Sequence, residues 1–239
     1  MLDPILDVLF PQDTCCICRK PGRYGCKQPW CQQCTEDMLK LEKSGTTCDI
    51  CGKYLDDGKQ LCEDCRQNPP QFEIARAVGP YEEPYRIATK VLKFMGKKYL
   101  APKMGTMMAE RVKAEPRFGA IDLIVPVPIS TNSFQVRGFN QTEVIARYIS
   151  KELGVKVDNH VIFRVKDTPS QTELSKEERE KNLLCAFEVR DARKILNKSI
   201  LLVDDVYTTG STSRECTRTL LQAGASRVTI ITWATGRGF

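Results

Sequence analysis

From residue 71 onward, short apolar runs alternate with amphipathic stretches, and the spacing of each run predicts its element. Residues 72–78, 121–127, 161–165, 199–203 and 228–233 are compact and rich in Ile, Val and Leu or aromatic residues, as buried strands are. Between them, residues 84–94 and 100–114 have helical spacing, with breaks expected near Gly96 and around Pro102. Residues 140–153 place Val144, Ile145, Ile149 and Leu153 on one helical face. Residues 211–222 read as a helix, with Gly224 just beyond its end in the usual cap position. The stretch 168–182 is polar and charged and reads as a loop with a short helix from Lys176. Strand–helix alternation of this kind predicts an α/β fold, a parallel sheet flanked by helices.

Residues 1–68 lack such periodicity apart from one or two helical turns expected over 36–41. Asn68-Pro69-Pro70 punctuates the chain and marks the expected boundary between a first unit, 1–68, and a second, 71–239. The first ten residues are apolar, but Asp3 and Asp7 interrupt them and no basic segment precedes them, so they read as a packed or docking segment rather than a signal peptide. No apolar run approaches the ~18 residues a membrane span needs. A cytoplasmic protein without a transmembrane segment is expected.

The first unit holds ten of the twelve cysteines, eight of them in four C-x2-C pairs. Cys15-x2-Cys18-x12-Cys31-x2-Cys34 is followed by Cys48-x2-Cys51-x10-Cys62-x2-Cys65, an internal repeat. In a cytoplasmic chain such spacing favours metal over disulfides. The expectation is two structural Zn²⁺ ions, each held by four consecutive cysteines, with interleaved pairing as the alternative and Cys26 as a possible substitute for Cys31. Four thiolates per ion leave no position open to a substrate. Cys185 and Cys216 read as small core residues.

Composition matters here mainly through that metal. With 41% hydrophobic and 28% charged residues the chain is globular, and its formal net charge is +6. Eight zinc-bound thiolates subtract eight and two Zn²⁺ return four, which brings the balance to +2. A case for nucleic acid must therefore rest on local patches. One lies between residues 84 and 109, which contain no acid: Arg86, Lys90, Lys93 and Lys97 follow helical spacing if the helix continues through Gly96, and Lys98, Phe94 and Tyr99 lie beside them. Cations among aromatics suit single-stranded DNA, whereas a solvated helix face is the plain alternative.

The most informative run is Val203-Asp204-Asp205-Val206-Tyr207-Thr208-Thr209-Gly210-Ser211-Thr212. A buried strand delivers two acids, then a hydroxyl- and glycine-rich turn, then a helix. The acids can accept hydrogen bonds from a vicinal diol, with magnesium sharing the charge. The turn amides and the helix N-terminus can bind a phosphate. This run resembles the phosphoribosyl pyrophosphate (PRPP) loop of type I phosphoribosyltransferases. Two further segments, Arg137-Gly138-Phe139-Asn140-Gln141 after Val125-Pro126-Val127-Pro128, and Gln171-x2-Leu174-x4-Arg179-x2-Asn182-Leu183 before Ala186-Phe187, resemble the ComF (ComFC) competence family, as do the cysteine pairs.

That resemblance implies a type I phosphoribosyltransferase-like domain behind a zinc-knuckle module. It implies a PRPP-type pocket, with Mg²⁺ accompanying PRPP, built from Asp204, Asp205, Tyr207, Thr208, Thr209, Gly210, Ser211 and Thr212, together with Ser130 and Arg137 near the pyrophosphate. Arg137 could equally hold the strand–helix connection, and Asn140 could cap the following helix. The segment 166–182, with Lys166, Gln171 and Arg179, stands where such enzymes carry a lid. No base-binding hood is recognisable, and the single histidine, His160, lies apart from every motif. The resemblance further implies a role in natural transformation, single-stranded DNA and a ComFA-like DNA-uptake ATPase as partners, and a place at the cytoplasmic face of the membrane. An active PRPP-dependent phosphoribosyltransferase is the alternative function.

Overall fold

A computed structural model describes residues 14–21, 29–55, 58–166 and 185–238. In chain order these form α1 (Gln32–Glu42), β1 (Thr46–Thr47), β2 (Tyr54–Leu55), α2 (Glu63–Gln67), β3 (Ala75–Pro80), α3 (Tyr85–Phe94), α4 (Ala101–Ala114), β4 (Leu123–Pro126), α5 (Thr131–Arg137), α6 (Gln141–Leu153), β5 (Ile162–Arg164), β6 (Phe187–Val189), β7 (Ser199–Tyr207), α7 (Ser211–Gln222), β8 (Arg227–Thr235) and β9 (Arg237–Gly238). No helix of the described residues is long and apolar enough to cross a membrane.

The expected parallel sheet is present, in the order β3-β8-β7-β4, with every pairing parallel. Its strands are buried on both faces, which is why they read as continuous apolar runs. One face packs against α3, α4 and α6, with Leu201, Val203, Ile231 and Trp233 pointing toward them. The other packs against α7 and the β5–β6 hairpin through Ile200, Leu202, Val228 and Ile230. Helices α4 and α6 touch closely at Gly105, where a Cβ would meet the Tyr148 Cβ at 2.5 Å.

Five details differ from the sequence-based expectations, one being that Cys185 is exposed while Cys216 alone of that pair lies in the core. The strand predicted over 199–203 runs on to Tyr207, because Asp204, Val206 and Tyr207 keep pairing with β8. The run at 161–165 forms a strand, Ile162–Arg164, but it pairs antiparallel with β6 outside the main sheet. Pro102 does not break its helix. It occupies the first turn of α4, where a missing N–H costs nothing. The short helix α5 was not expected; of the lid expected over 166–182 only Lys166 is among the described residues, and both Cys26 and the helix expected from Lys176 lie outside them.

The cysteine-rich unit straddles the edge strand β3. Its first half packs on the α3 face, where Trp30 stacks against Trp233 with ring centroids 5.8 Å apart and the Tyr85 hydroxyl donates to the Met38 carbonyl at 2.9 Å. Its second half packs on the α7 face. Between them the buried Arg76 guanidinium of β3 donates to the carbonyls of Cys48 and Asp49 and pairs with Glu115 at 3.0 Å. The last strand, β9, pairs with β2 of the cysteine-rich unit, which ties the end of the described chain to that unit.

Candidate functional site

The eight paired cysteines gather into two groups, Cys15, Cys18, Cys31, Cys34 and Cys48, Cys51, Cys62, Cys65, with the sulfurs of each group within 4.8 Å of one another. The pairing is thus sequential, not interleaved. Sγ–Sγ separations of 3.7 Å for Cys15–Cys34, 3.7 Å for Cys18–Cys31 and 3.6 Å for Cys51–Cys62 are far too long for disulfides, whose sulfurs lie about 2.05 Å apart. They match the edge of a tetrahedron with Zn–S bonds of about 2.3 Å, which is roughly 3.8 Å. An all-thiolate set of this shape fits structural zinc.

The second cluster of chemistry forms at the carboxyl end of β7, as ligand sites do in open parallel sheets. Asp204 and Asp205 are both buried, at 8% and 5% exposure. Asp205 Oδ2 receives the Lys93 ammonium at 2.7 Å and the Gln141 Nε2 donor at 2.9 Å. Asp204 Oδ1 accepts the backbone N–H of Asp205 at 2.8 Å. Burial, and then the neighbouring Asp205 charge, push the Asp204 carboxyl up to about 7. Burial opposes the charge on Lys93, but Asp205 and Asp204 together outweigh it and raise its pKa.

After β7 the chain turns through Thr208 and Thr209 to Gly210, whose φ of +84° is the left-handed conformation glycine permits. A Cβ there would lie 2.2 Å from the Tyr207 hydroxyl, because the Tyr207 ring fills the space beneath the turn. Tyr207 is itself buried, with its ring edge-on to Phe72 at 6.2 Å, so its side chain supports the turn from below. The N-cap residue Gly210 has no side chain to cap α7; the Ser211 amide donates to the Thr209 hydroxyl in a long bond of 3.4 Å, and the Thr209 and Ser211 hydroxyls share a hydrogen bond of 2.9 Å. Two hydroxyls and the positive end of a 12-residue helix thus lie next to the paired acids, an arrangement chemically suited to an anion.

Two expected contributors have structural work as well. The Ser130 side chain caps α5, accepting from the Ser133 amide at 3.2 Å. Asn140 caps α6 and donates to the Val127 carbonyl at 3.1 Å. Arg137 donates to Gln141 Oε1 at 3.1 Å, which links it through Gln141 to Asp205, and its guanidinium lies 5.3 Å from the Phe94 ring centroid.

The basic stripe does not survive as one surface. Helix α3 stops at Phe94 and Gly96 takes a φ of +64°, so Lys97 leaves the helical register. Lys97 is buried beside Cys15, Cys16 and Tyr99, and Lys93 turns inward to Asp205. Arg86 pairs with Glu83 at 2.7 Å, Lys90 is exposed, and Lys98 sits 4.8 Å over the Phe139 ring. What replaces the stripe is a pair of cation–ring contacts, Lys98 over Phe139 and Arg137 over Phe94, with Phe94 70% exposed and Arg137 linked through Gln141 to Asp205. Sequence reasoning placed Lys93 in the DNA-facing stripe rather than beside Asp205, and did not single out Gln141 as a partner of that acid. Gln141 stood inside a motif already singled out, whereas the role of Lys93 could not be seen from a helix 112 residues away from Asp205 in sequence.

Comparison with known proteins follows the same division. The double zinc ribbon domain family matches residues 5–66, and the phosphoribosyl transferase domain family matches residues 136–238. Competence protein F of Haemophilus influenzae is 28% identical over 226 residues, covering 93% of this chain and 96% of that protein. DNA utilization protein YhgH of Escherichia coli K12 is 29% identical over 222 residues, covering 90% and 94%. Competence protein ComFC of Bacillus subtilis is 24% identical over 205 residues, covering 81% and 78%. Among solved structures, an adenine phosphoribosyltransferase from Leishmania tarentolae aligns with 61% of this chain and 74% of its own at 14% identity and a TM-score of 0.37. The fold assignment rests on the observed sheet and the two domain matches.

Proposed function

We propose that this homologue of competence protein F, YhgH and ComFC, a double zinc ribbon joined to a phosphoribosyl transferase domain, handles single-stranded DNA during natural transformation and holds a pentose phosphate in the pocket at the end of β7. The observation that carries this reading is the junction of two surfaces. The acid pair and the α7 N-terminus recognise a sugar phosphate. The two cation–ring contacts offer the exposed Phe94 ring to a base and Arg137 and Lys98 to phosphates. A nucleotide presents that combination: a phosphate, a sugar hydroxyl and a planar base. The names of the relatives support DNA as the polymer. Action at the cytoplasmic face of the membrane, beside a ComFA-like uptake ATPase, completes the proposal.

The direct test is binding of PRPP and of single-stranded DNA to one preparation, with mutual competition. We expect each to displace the other, and we expect Asp205→Asn to weaken both by tenfold or more while zinc content stays at two per chain. DNA binding that ignores both PRPP and Asp205→Asn would remove the pocket from DNA handling. An active transferase is the second reading, favoured by Asp204, whose carboxyl is held near neutrality where it could exchange a proton. Release of pyrophosphate from Mg²⁺ and PRPP with a nucleobase acceptor, abolished by Asp204→Asn, would establish it.

A further inference from the structure

The fold family implies magnesium beside the paired acids, and the residues present do not fit it. Magnesium requires a near-octahedral oxygen shell at about 2.0–2.1 Å and sheds its waters reluctantly. Here one oxygen of each carboxylate is already committed to protein donors: Asp205 Oδ2 to both Lys93 and Gln141, and Asp204 Oδ1 to a backbone N–H. The Lys93 ammonium already contacts Asp205 at 2.7 Å, so a cation at that oxygen would sit against a fixed positive charge. The local charge agrees. Lys93 and Arg137 supply two positive charges, and Asp205 acts on both. Against them stand the two carboxylates of Asp204 and Asp205, both buried. Such a pocket has no unbalanced negative charge to attract a divalent cation, and like-charge repulsion from Lys93 works against one.

We propose that Lys93 takes the place of the divalent cation, so that the pocket binds a pentose monophosphate or phosphodiester without magnesium. The proposal rests on the reading of this pocket as a phosphoribosyl site and specifies its ligand class. A pyrophosphorylated sugar brings several negative charges and needs a metal to share them. A monophosphate brings at most two, which the α7 N-terminus can meet while the Lys93 ammonium balances the Asp205 carboxylate. The lysine leaves Asp205 charged and oriented for a sugar hydroxyl, as a positioning residue rather than a direct ligand contact. Lys93 is also placed by the fold rather than by chance. It sits in the last turn of α3, whose Tyr85, Ala88, Val91 and Leu92 are packed against the sheet. An ammonium near a helix C-terminus is further favoured by the helix dipole.

The test uses the zinc-loaded full chain and ribose 5-phosphate as the probe, titrated calorimetrically in EDTA-treated, zinc-retaining protein without Mg²⁺ and again with added Mg²⁺. The wild-type protein is expected to bind equally, within twofold, in both conditions. Lys93→Met is expected to lose tenfold or more without Mg²⁺ and to recover part of that loss when Mg²⁺ is added. Lys93→Arg should retain most of the metal-free affinity. A wild-type protein that needs Mg²⁺ overturns the proposal, and so does a Lys93→Met protein that binds more tightly without metal, since Lys93 would then be an obstruction. If Lys93→Met does not fold, as judged by zinc content and circular dichroism, the wild-type metal dependence and Lys93→Arg still decide. Failure of the wild-type protein to bind ribose 5-phosphate in either condition would refute the phosphoribosyl reading itself, and this proposal with it.

Discussion

The two four-cysteine sites share nearly the same spacing but not the same setting. In the first, Cys15 and Cys34 are buried while Cys18 is exposed and Cys31 half-buried. In the second, all four cysteines are buried. The first lies on the α3 side of β3, where Trp30 and Met38 meet Trp233 and Tyr85. The second lies on the α7 side, where Asp64 of α2 pairs with Arg214 of α7 at 3.2 Å and Lys53 lies 6.0 Å from the Tyr207 ring centroid. The two halves of the pocket descend from these two faces. Lys93 comes from α3 and the phosphate turn leads into α7. A repeated motif is therefore used twice, once on each face of the sheet, and the more buried copy packs on the side of α7.

The largest expected effect separates the two copies. Structural zinc contributes up to about 10–16 kcal/mol of apparent folding energy, comparable to the whole stability of a typical domain. Cys62→Ser should therefore leave the protein largely unfolded or insoluble. Cys18→Ser, at an exposed ligand, should yield soluble protein with one zinc per chain. Zinc content and circular dichroism measure both. Equal behaviour of the two variants would erase the distinction. A smaller effect is expected at the phosphate turn alone. Gly210→Ala forces a Cβ against the Tyr207 hydroxyl at a left-handed position, so a loss of about 1–2 kcal/mol is expected from the backbone alone. Sugar-phosphate affinity should fall while both zinc ions remain, as denaturant melts and titration would reveal.

The pH dependence probes the α7-facing side of β7, where strand alternation places Asp204 with Ile200 and Leu202 while Asp205 faces α3. The Asp204 carboxyl is raised in the folded protein from an ordinary 3.8 to about 7. A carboxyl raised on folding contributes stability that is fully present below its unfolded pKa and is lost as pH rises through the folded value. Its contribution therefore declines between about pH 4 and pH 7, and Asp204→Asn should flatten the stability profile over that window. An unchanged profile would place the carboxyl in a more polar setting than its burial indicates. The smallest effect is expected at Lys90, which is exposed on α3 away from Asp205. Lys90→Glu should weaken single-stranded DNA binding slightly and lower its logarithmic salt slope by about 0.7 if that lysine touches one phosphate. A change as large as that of Asp205→Asn would restore the helical stripe as the main DNA surface.

How much was legible in advance differs between these regions for a physical reason. The zinc ligands were legible because tetrahedral thiolate sites are built from cysteine pairs two residues apart, a local constraint written directly in the chain. The strands were legible as buried apolar runs, and the phosphate turn as glycine between hydroxyls ahead of a helix. The extension of β7 through its two acids was not, since carboxylates are poor strand formers and only pairing with β8 holds them there. The basic stripe failed because helical spacing was carried across Gly96, where the backbone turns left-handed.

By itself the sequence determined the kinds of local geometry available to this protein: four-cysteine knuckles, a doubly covered parallel sheet, and an acid pair running into a helix N-terminus. Tertiary structure alone decided where the charges go. It took Lys93 out of a solvent-facing stripe and set it against Asp205, it placed Gln141 between Arg137 and that carboxylate, and it put one cysteine site on each face of β3. Electrostatic partners are chosen by proximity in space and by the burial that makes an unpaired charge costly, and neither quantity is a property of sequence spacing.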